Sequence, residues 1–89
     1  MPTVTPSKRF EKAVTKLSDH KAQEAFEALD QFVKNQSQPS LNFEKVKGTK
    51  ANYTIRTNGG DRICLRKTAK GQYDIADVGD HDYIYRTYG

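Results

Sequence analysis

Tyr53-Thr54-Ile55-Arg56-Thr57-Asn58-Gly59-Gly60-Asp61-Arg62-Ile63-Cys64-Leu65-Arg66 is the stretch on which the fold turns. Apolar and polar side chains alternate on both sides of Asn58-Gly59-Gly60, a sequence suited to a tight hairpin turn. The period of two puts Tyr53, Ile55, Ile63 and Leu65 on one face of the hairpin. Thr54, Arg56, Arg62, Cys64 and Arg66 fall on the other. Ala69-Lys70-Gly71 turns the chain again, and Tyr73 to Val78 reads as a third strand. These segments predict an antiparallel meander over about residues 53–79.

Upstream, the apolar period changes from two to 3.6. Phe10, Ala13, Val14 and Leu17 recur at i, i+3, i+4 and i+7, which predicts a helix over roughly 6–17 with Thr5 as N-cap and Pro6 at its first position. Thr3-Val4-Thr5 also suits a brief edge strand. Ser18-Asp19 offers a new cap, and Ala22, Ala25, Phe26, Leu29, Phe32 and Val33 predict a second helix over roughly 19–35. The short connection makes the pair, residues 6–35, an antiparallel helical hairpin. Phe10, Phe26 and Phe32 read as core, and His20 as a solvated surface histidine. After a loop at Asn35–Ser40, Leu41, Phe43 and Val46 pin a connector to the core, with Lys45 and Lys47 on its opposite side. The expected fold is α+β, one domain over residues 1–89. An N-terminal helical hairpin covers one face of a small antiparallel sheet of three to four strands. The arginine-bearing face stays open, and residues 79–89 follow as a candidate site segment.

Composition narrows the function classes. Hydrophobic content is 35% and mean hydropathy is −0.88, so a chain of 89 residues buries a small core. No apolar run approaches the length of a transmembrane helix. The opening residues lack the apolar stretch of a signal peptide. One cysteine, Cys64, excludes an internal disulfide framework and suits the cytoplasm. Net charge is +4, and it is unevenly placed. Residues 42–70 carry eight Lys and Arg against Glu44 and Asp61, whereas residues 73–82 carry four aspartates and no cation. A cationic block on folded elements is an electrostatic footprint for phosphates, and equally the composition of a solvated sheet face.

Two groups of residues could carry chemistry. Arg56, Arg62 and Arg66 share a face. Either they pair with Asp61, Asp74 or Asp77, or they offer their forked donors to phosphate. The run Val78-Gly79-Asp80-His81-Asp82-Tyr83-Ile84-Tyr85-Arg86 gathers an imidazole, carboxylates, phenols and a guanidinium beside them. His81 is a candidate general acid or base, because imidazole exchanges its proton near neutral pH. Tyr83 and Tyr85 could stack on a base or donate a proton. Metal ligation has no support in the spacing of Cys, His and Asp. Cys64, mid-strand, reads as a packing residue rather than a nucleophile.

The order of these pieces resembles the RelE/ParE superfamily of type II toxin–antitoxin toxins. The resemblance spans essentially the whole chain. It is carried by Leu41-Asn42-Phe43-Glu44-Lys45-Val46-Lys47-Gly48, the Tyr-x-Ile-Arg strand, the Gly-x-Arg return strand and Val78-Gly79-Asp80-His81-Asp82-Tyr83-Ile84-Tyr85. It implies a small toxin neutralised by a cognate antitoxin protein. In the RelE-like branch it implies an endoribonuclease without cofactor or metal, acting on mRNA at the ribosome by activating a ribose 2′-OH against the adjacent phosphate. Carried over by position, Arg62 matches the phosphate-contacting arginine of the return strand and Arg56 a basic position of the preceding strand. Thr54 stands where the archetype has a second lysine, a place that Lys45 or Lys47 would fill. His81 lies where the archetype has an arginine and other branches a histidine, and Tyr85 matches a tyrosine near the C-terminus. The expected catalytic set is His81, Arg62, Tyr85 and Arg56, with Lys45, Lys47, Arg66 and Tyr83 contacting RNA. His81 could serve as base or as acid. Two alternatives share the fold: a ParE-like inhibitor of DNA gyrase and an inactive binding module.

Overall fold

A computed structural model describes all 89 residues. The strands are β1 (Thr3–Pro6), β2 (Glu44–Lys45), β3 (Asn52–Arg56), β4 (Arg62–Ala69) and β5 (Gln72–Gly79). The helices are α1 (Lys8–Thr15), α2 (Asp19–Lys34) and α3 (His81–Tyr88), with a short 3₁₀ turn at Pro39–Leu41. The strands form one sheet in the order β1-β5-β4-β3-β2. The meander β3-β4-β5 is antiparallel as the alternation predicts, with Thr54 opposite Cys64 and Arg56 opposite Arg62. Gly60 and Gly71, with φ of +88° and +72°, make its two turns.

The sheet has five strands rather than three to four, because both flanks acquire an edge. β1 joins β5 in parallel, and Glu44–Lys45 of the connector joins β3. Pro6 lies inside β1 and cannot also open α1. The cap of α1 is Ser7 instead, whose hydroxyl accepts from Phe10 N at 3.1 Å and donates to Ile75 O at 2.7 Å. The helix is therefore shorter than its apolar spacing suggests. Ser18 caps α2 as expected.

α1 and α2 cover the face that carries Ile55, Ile63 and Leu65, all fully buried with Phe10 and Phe32. Phe32, Phe43, Tyr53 and Tyr73 interlock at one end, Phe43 stacking on Tyr53 at 5.1 Å. Leu41 and Val46 anchor the connector, each 1% exposed. Phe26 departs from expectation. It touches Phe10 edge-on at 6.3 Å yet is 52% exposed, because its position on α2 turns away from the sheet while Ala25, Ala28, Leu29 and Phe32 turn inward.

The second face is not open. After Gly79 the chain folds back as α3 and packs on β4 and β5. Ile84, Cys64 and Thr54 are all at 0% exposure and Asp77 at 1%. Asp80 caps α3 by accepting from Tyr83 N at 2.8 Å, so His81 begins a helix instead of ending a strand. Gly79 permits the tight reversal, since a Cβ there would meet Tyr83 Cδ2 at 2.6 Å.

Burial raises the Cys64 thiol from 9.0 to about 11, with the Asp77 charge as a lesser cause. A raised folded pKa stabilises below the unfolded value and the gain is lost as pH climbs through the folded one. Unfolding free energy is expected to fall between pH 9 and about 11, with Cys64 supplying about 2–3 kcal/mol of the loss. A Cys64→Ala variant is expected to lose correspondingly less in urea titrations. Ile84→Ala is expected to cost about 2–5 kcal/mol and to speed alkylation of Cys64, since Ile84 is the one fully buried anchor of α3.

Candidate functional site

The site forms where the first two turns of α3 lie beside β2, β3 and the start of β4. His81 and Tyr85, one helical turn apart, present their rings to each other at 4.4 Å between centroids and 37° tilt. The Tyr85 hydroxyl donates to Glu44 Oε1 at 2.8 Å and lies 2.9 Å from Thr54 Oγ1. With the phenol proton committed to the carboxylate, Thr54 donates to Tyr85. Burial is the main reason that the Tyr85 phenol titrates above its usual range. The bond from Thr54 and the Arg62 charge pull it down, while the bond to Glu44 and its charge push it up. Tyr85 is thus a neutral donor at physiological pH, and the opposed pulls show that it senses both the Glu44 carboxylate and the Arg62 guanidinium.

Arg62 lies opposite Gly79 of β5, two residues before His81. Its Nη1 donates to Gly60 O at 2.8 Å, and its Nε–H is buried with no acceptor. A buried donor left unbonded costs free energy, here on a guanidinium with donors still unused. The ion pairs of the molecule join Arg9 to Asp77, His20 to Glu24, Lys21 to Asp61, Lys34 to Asp30 and His81 to Asp82. None involves any of the eight cations between residues 42 and 70. Of the aspartates that could have neutralised the sheet arginines, Asp77 and Asp61 are engaged elsewhere, and Asp74 stands opposite Arg66 in register without closing an ion pair. Arg56 and Arg62 face each other in register, a like-charged pair that is destabilising without a counter-ion.

The expected set is divided by this geometry. His81 and Tyr85 come together, with Arg62 close enough for its charge to act on the Tyr85 phenol; Lys45 and Lys47 stand exposed on the adjoining edge, where Lys45 pairs with Tyr53 and so turns to the sheet face opposite Glu44. Arg56 is exposed beside Arg62 and also borders a shallow cleft with Glu24 and Glu27 of α2. Arg66 is exposed further along β4, away from the site, lining a groove of about 410 Å³ with Lys50, Asn52 and Tyr88 at the far end of α3. Tyr83 leaves the set. Its hydroxyl donates to Asp77 Oδ2 at 2.6 Å and accepts from Arg9 Nη2 at 3.1 Å, so it is committed to a structural network on the other flank of α3. Two participants were missed. Glu44 reads in the sequence as one more polar position of an alternating connector, and Thr54 as a lost lysine. Neither the pairing of Glu44 with Thr54 across β2 and β3 nor the arrival of Tyr85 above them has a local signal. No group of three or more His, Cys, Asp and Glu side chains converges anywhere in the chain.

The path of the chain is similar to that of RelE toxins in solved structures. The RelB–RelE antitoxin–toxin complex of Methanococcus jannaschii aligns over 96% of this chain and 99% of the matched chain, at 20% identity and a TM-score of 0.69. The intact RelBE toxin–antitoxin complex of E. coli aligns over 90% and 96%, at 16% identity and a TM-score of 0.68. YafQ of E. coli strain BL21(DE3) aligns over 96% and 99%, at 11% identity and a TM-score of 0.64. This chain therefore has the RelE-like toxin fold. No family model matches it, and no curated protein aligns with it.

The Tyr85 titration gives a direct check on the site. Glu44→Gln removes the carboxylate charge while keeping an acceptor, so the Tyr85 phenol is expected to titrate lower, nearer its usual range. A ¹³Cζ-tyrosine NMR titration measures this, and an unmoved Tyr85 midpoint would separate Glu44 from the site.

Proposed function

We propose that this chain is the toxin of a type II toxin–antitoxin system and acts as an endoribonuclease on mRNA at the ribosome, so blocking translation. The observation that carries the reading is the placing of a carboxylate, an imidazole and an under-bonded arginine around the Tyr85 phenol at one exposed corner, beside cations of residues 42–70 that make no ion pair. A protein-binding patch has no need for an acid–base pair held around a guanidinium. The fold supports a toxin, and the matched RelE structures from E. coli and M. jannaschii are complexes with antitoxins. A cognate antitoxin is accordingly the expected protein partner of this chain, in a cytoplasmic hetero-oligomer.

The chemistry follows from the geometry. The unpaired cations hold the RNA backbone, Lys45 and Lys47 at the edge and Arg62 at the scissile phosphate. Glu44, whose Oε1 is fixed by Tyr85, takes the proton from the ribose 2′-OH. The 2′-oxygen bonds to phosphorus. Arg62 stabilises the negative charge that builds on the phosphoryl oxygens, a preorganised electrostatic role. As the bond from phosphorus to the 5′-oxygen breaks, protonated His81 supplies the proton to that oxygen. The products are a 2′,3′-cyclic phosphate and a 5′-hydroxyl end, with the proton count balanced between Glu44 and His81. Tyr85 orients both groups through its hydroxyl and its ring. This assignment separates the two roles that the sequence leaves open for His81 and gives it the acid role.

The test is cleavage of mRNA programmed on purified ribosomes, read by mapping ends. His81→Ala and Glu44→Ala are each expected to lower the rate about 10²- to 10⁴-fold, and Arg62→Ala about 10²- to 10³-fold. The rate is expected to follow a bell-shaped pH profile whose acid limb is lost in Glu44→Ala and whose alkaline limb is lost in His81→Ala. Lys45→Ala and Lys47→Ala are expected to weaken binding and to lower the salt slope by about one each. Intact mRNA together with gyrase-dependent DNA breakage would sink the nuclease reading. Undisturbed growth on expression of the chain alone would sink the toxin reading.

A further inference from the structure

Behind α3, on the flank away from Glu44, sits a carboxylate that the chemistry above does not use. Asp77 is 1% exposed and both of its carboxylate oxygens are engaged. Oδ1 accepts from Val78 N at 2.8 Å. Oδ2 accepts from Tyr83 Oη at 2.6 Å and Tyr88 Oη at 2.9 Å, and Arg9 Nε of α1 lies 3.2 Å away. Arg9 also donates to Tyr83 Oη at 3.1 Å and lies over the Tyr88 ring at 5.6 Å. Burial, then the bond to Asp77, holds the Tyr88 phenol far above its usual range, so the donors stay protonated.

We infer that Asp77 is a positioning residue for the site on the opposite flank, a buried acceptor that fixes the rotation of α3 and thereby sets His81 and Tyr85 against Arg62 and Glu44. The inference rests on the function proposed above for its catalytic half. An eight-residue helix is only about 12 Å long and docks through one fully buried apolar side chain, Ile84. A single apolar anchor leaves a helix free to roll about its axis. Hydrogen bonds at both flanks remove that freedom: Tyr83 and Tyr88 to Asp77 on β5, and Tyr85 to Thr54 and Glu44 on β3 and β2. Asp77 and Thr54 lie opposite Cys64 from its two sides, so one transverse row of the sheet ties both flanks. The charge matters as well as the shape. An asparagine at 77 fits the space, but its amide group faces either three donors or the Val78 N–H, so part of the set is lost in either orientation.

Cys64 lies beneath α3 in the middle of this row and is the only cysteine, so its alkylation rate reports lifting or rolling of the helix without reference to activity. The experiment uses the full chain as wild type, Asp77→Asn and Tyr83→Phe/Tyr88→Phe. The double variant keeps both rings and covers the case in which Asp77→Asn fails to fold. Iodoacetamide alkylation under native conditions is expected to accelerate at least tenfold in the variants, beyond what their urea-measured global stability accounts for. In ribosomal mRNA cleavage kcat is expected to fall about 10- to 100-fold, with KM held within about twofold, the pattern of misplacement rather than lost binding. Unchanged Cys64 protection overturns the inference. So does faster alkylation with kcat intact, since Asp77 would then hold α3 to no catalytic effect. If the wild type cleaves nothing, the nuclease reading falls instead, and Cys64 protection alone decides whether Asp77 holds the helix.

Discussion

The Tyr85 hydroxyl sits between Thr54 and Glu44, at 2.9 and 2.8 Å, and most of what is distinctive in this structure depends on that short chain of polar groups. It joins three elements that no local rule brings together: the returning helix α3, the central strand β3 and the two-residue edge strand β2. Without α3 the second face of the sheet would expose Cys64 and leave Thr54 and Asp77 to water. With α3 in place those groups are sealed and must be hydrogen-bonded, because a buried polar atom without a partner costs about 1–3 kcal/mol. The tyrosines of α3 meet that demand. Each supplies an aromatic body to the apolar seam and a hydroxyl to the polar row. Docking of the helix and placement of its reactive side chains are therefore one event.

The same docking organises the charge. Asp77 draws Arg9 and two phenols to one flank, and Asp61 leans towards Lys21. The sheet arginines and the connector lysines make no direct ion pair, although Arg66 stands opposite Asp74 across β4 and β5. Arg56 and Arg62 stand in register, an arrangement that concentrates positive charge at that end of the sheet. A polyanion offsets that charge at once, whether RNA or an acidic stretch of a protein partner.

Much of the fold was legible because its determinants are local and periodic. Alternation over Tyr53–Thr57 and Arg62–Arg66 located β3 and β4, the Gly turns set the meander, and the 3.6-residue stripe located α1 and α2. Two things were not. The helical state of residues 81–88 was hidden because their only aliphatic residue is Ile84, so no apolar stripe exists to count, and the seam is built from tyrosines instead. The Asp80 cap was visible as a residue type, but a capping residue without a periodic run after it is a weak signal. Phe26 misled in the opposite sense, an aromatic on an apolar stripe that the actual rotation of α2 leaves 52% exposed.

The candidate site was half legible for a related reason. Arg62, His81 and Tyr85 stand out by chemistry, and position in the chain already placed them at one end of the sheet. Glu44 was invisible because its role arises from pairing across β2 and β3, a long-range fact about the connector's register. That asymmetry bears on what the fold can teach. At 11–20% identity the matched toxins preserve the path of the chain, while the side chains that would do chemistry are few and mostly set by tertiary contacts. The same backbone could carry an acid–base pair or a bare docking surface. What argues for the former here is the disposition of groups in this chain: a carboxylate fixed by a neutral phenol, an imidazole tilted against that phenol, and a guanidinium with unused donors within electrostatic reach of the phenol.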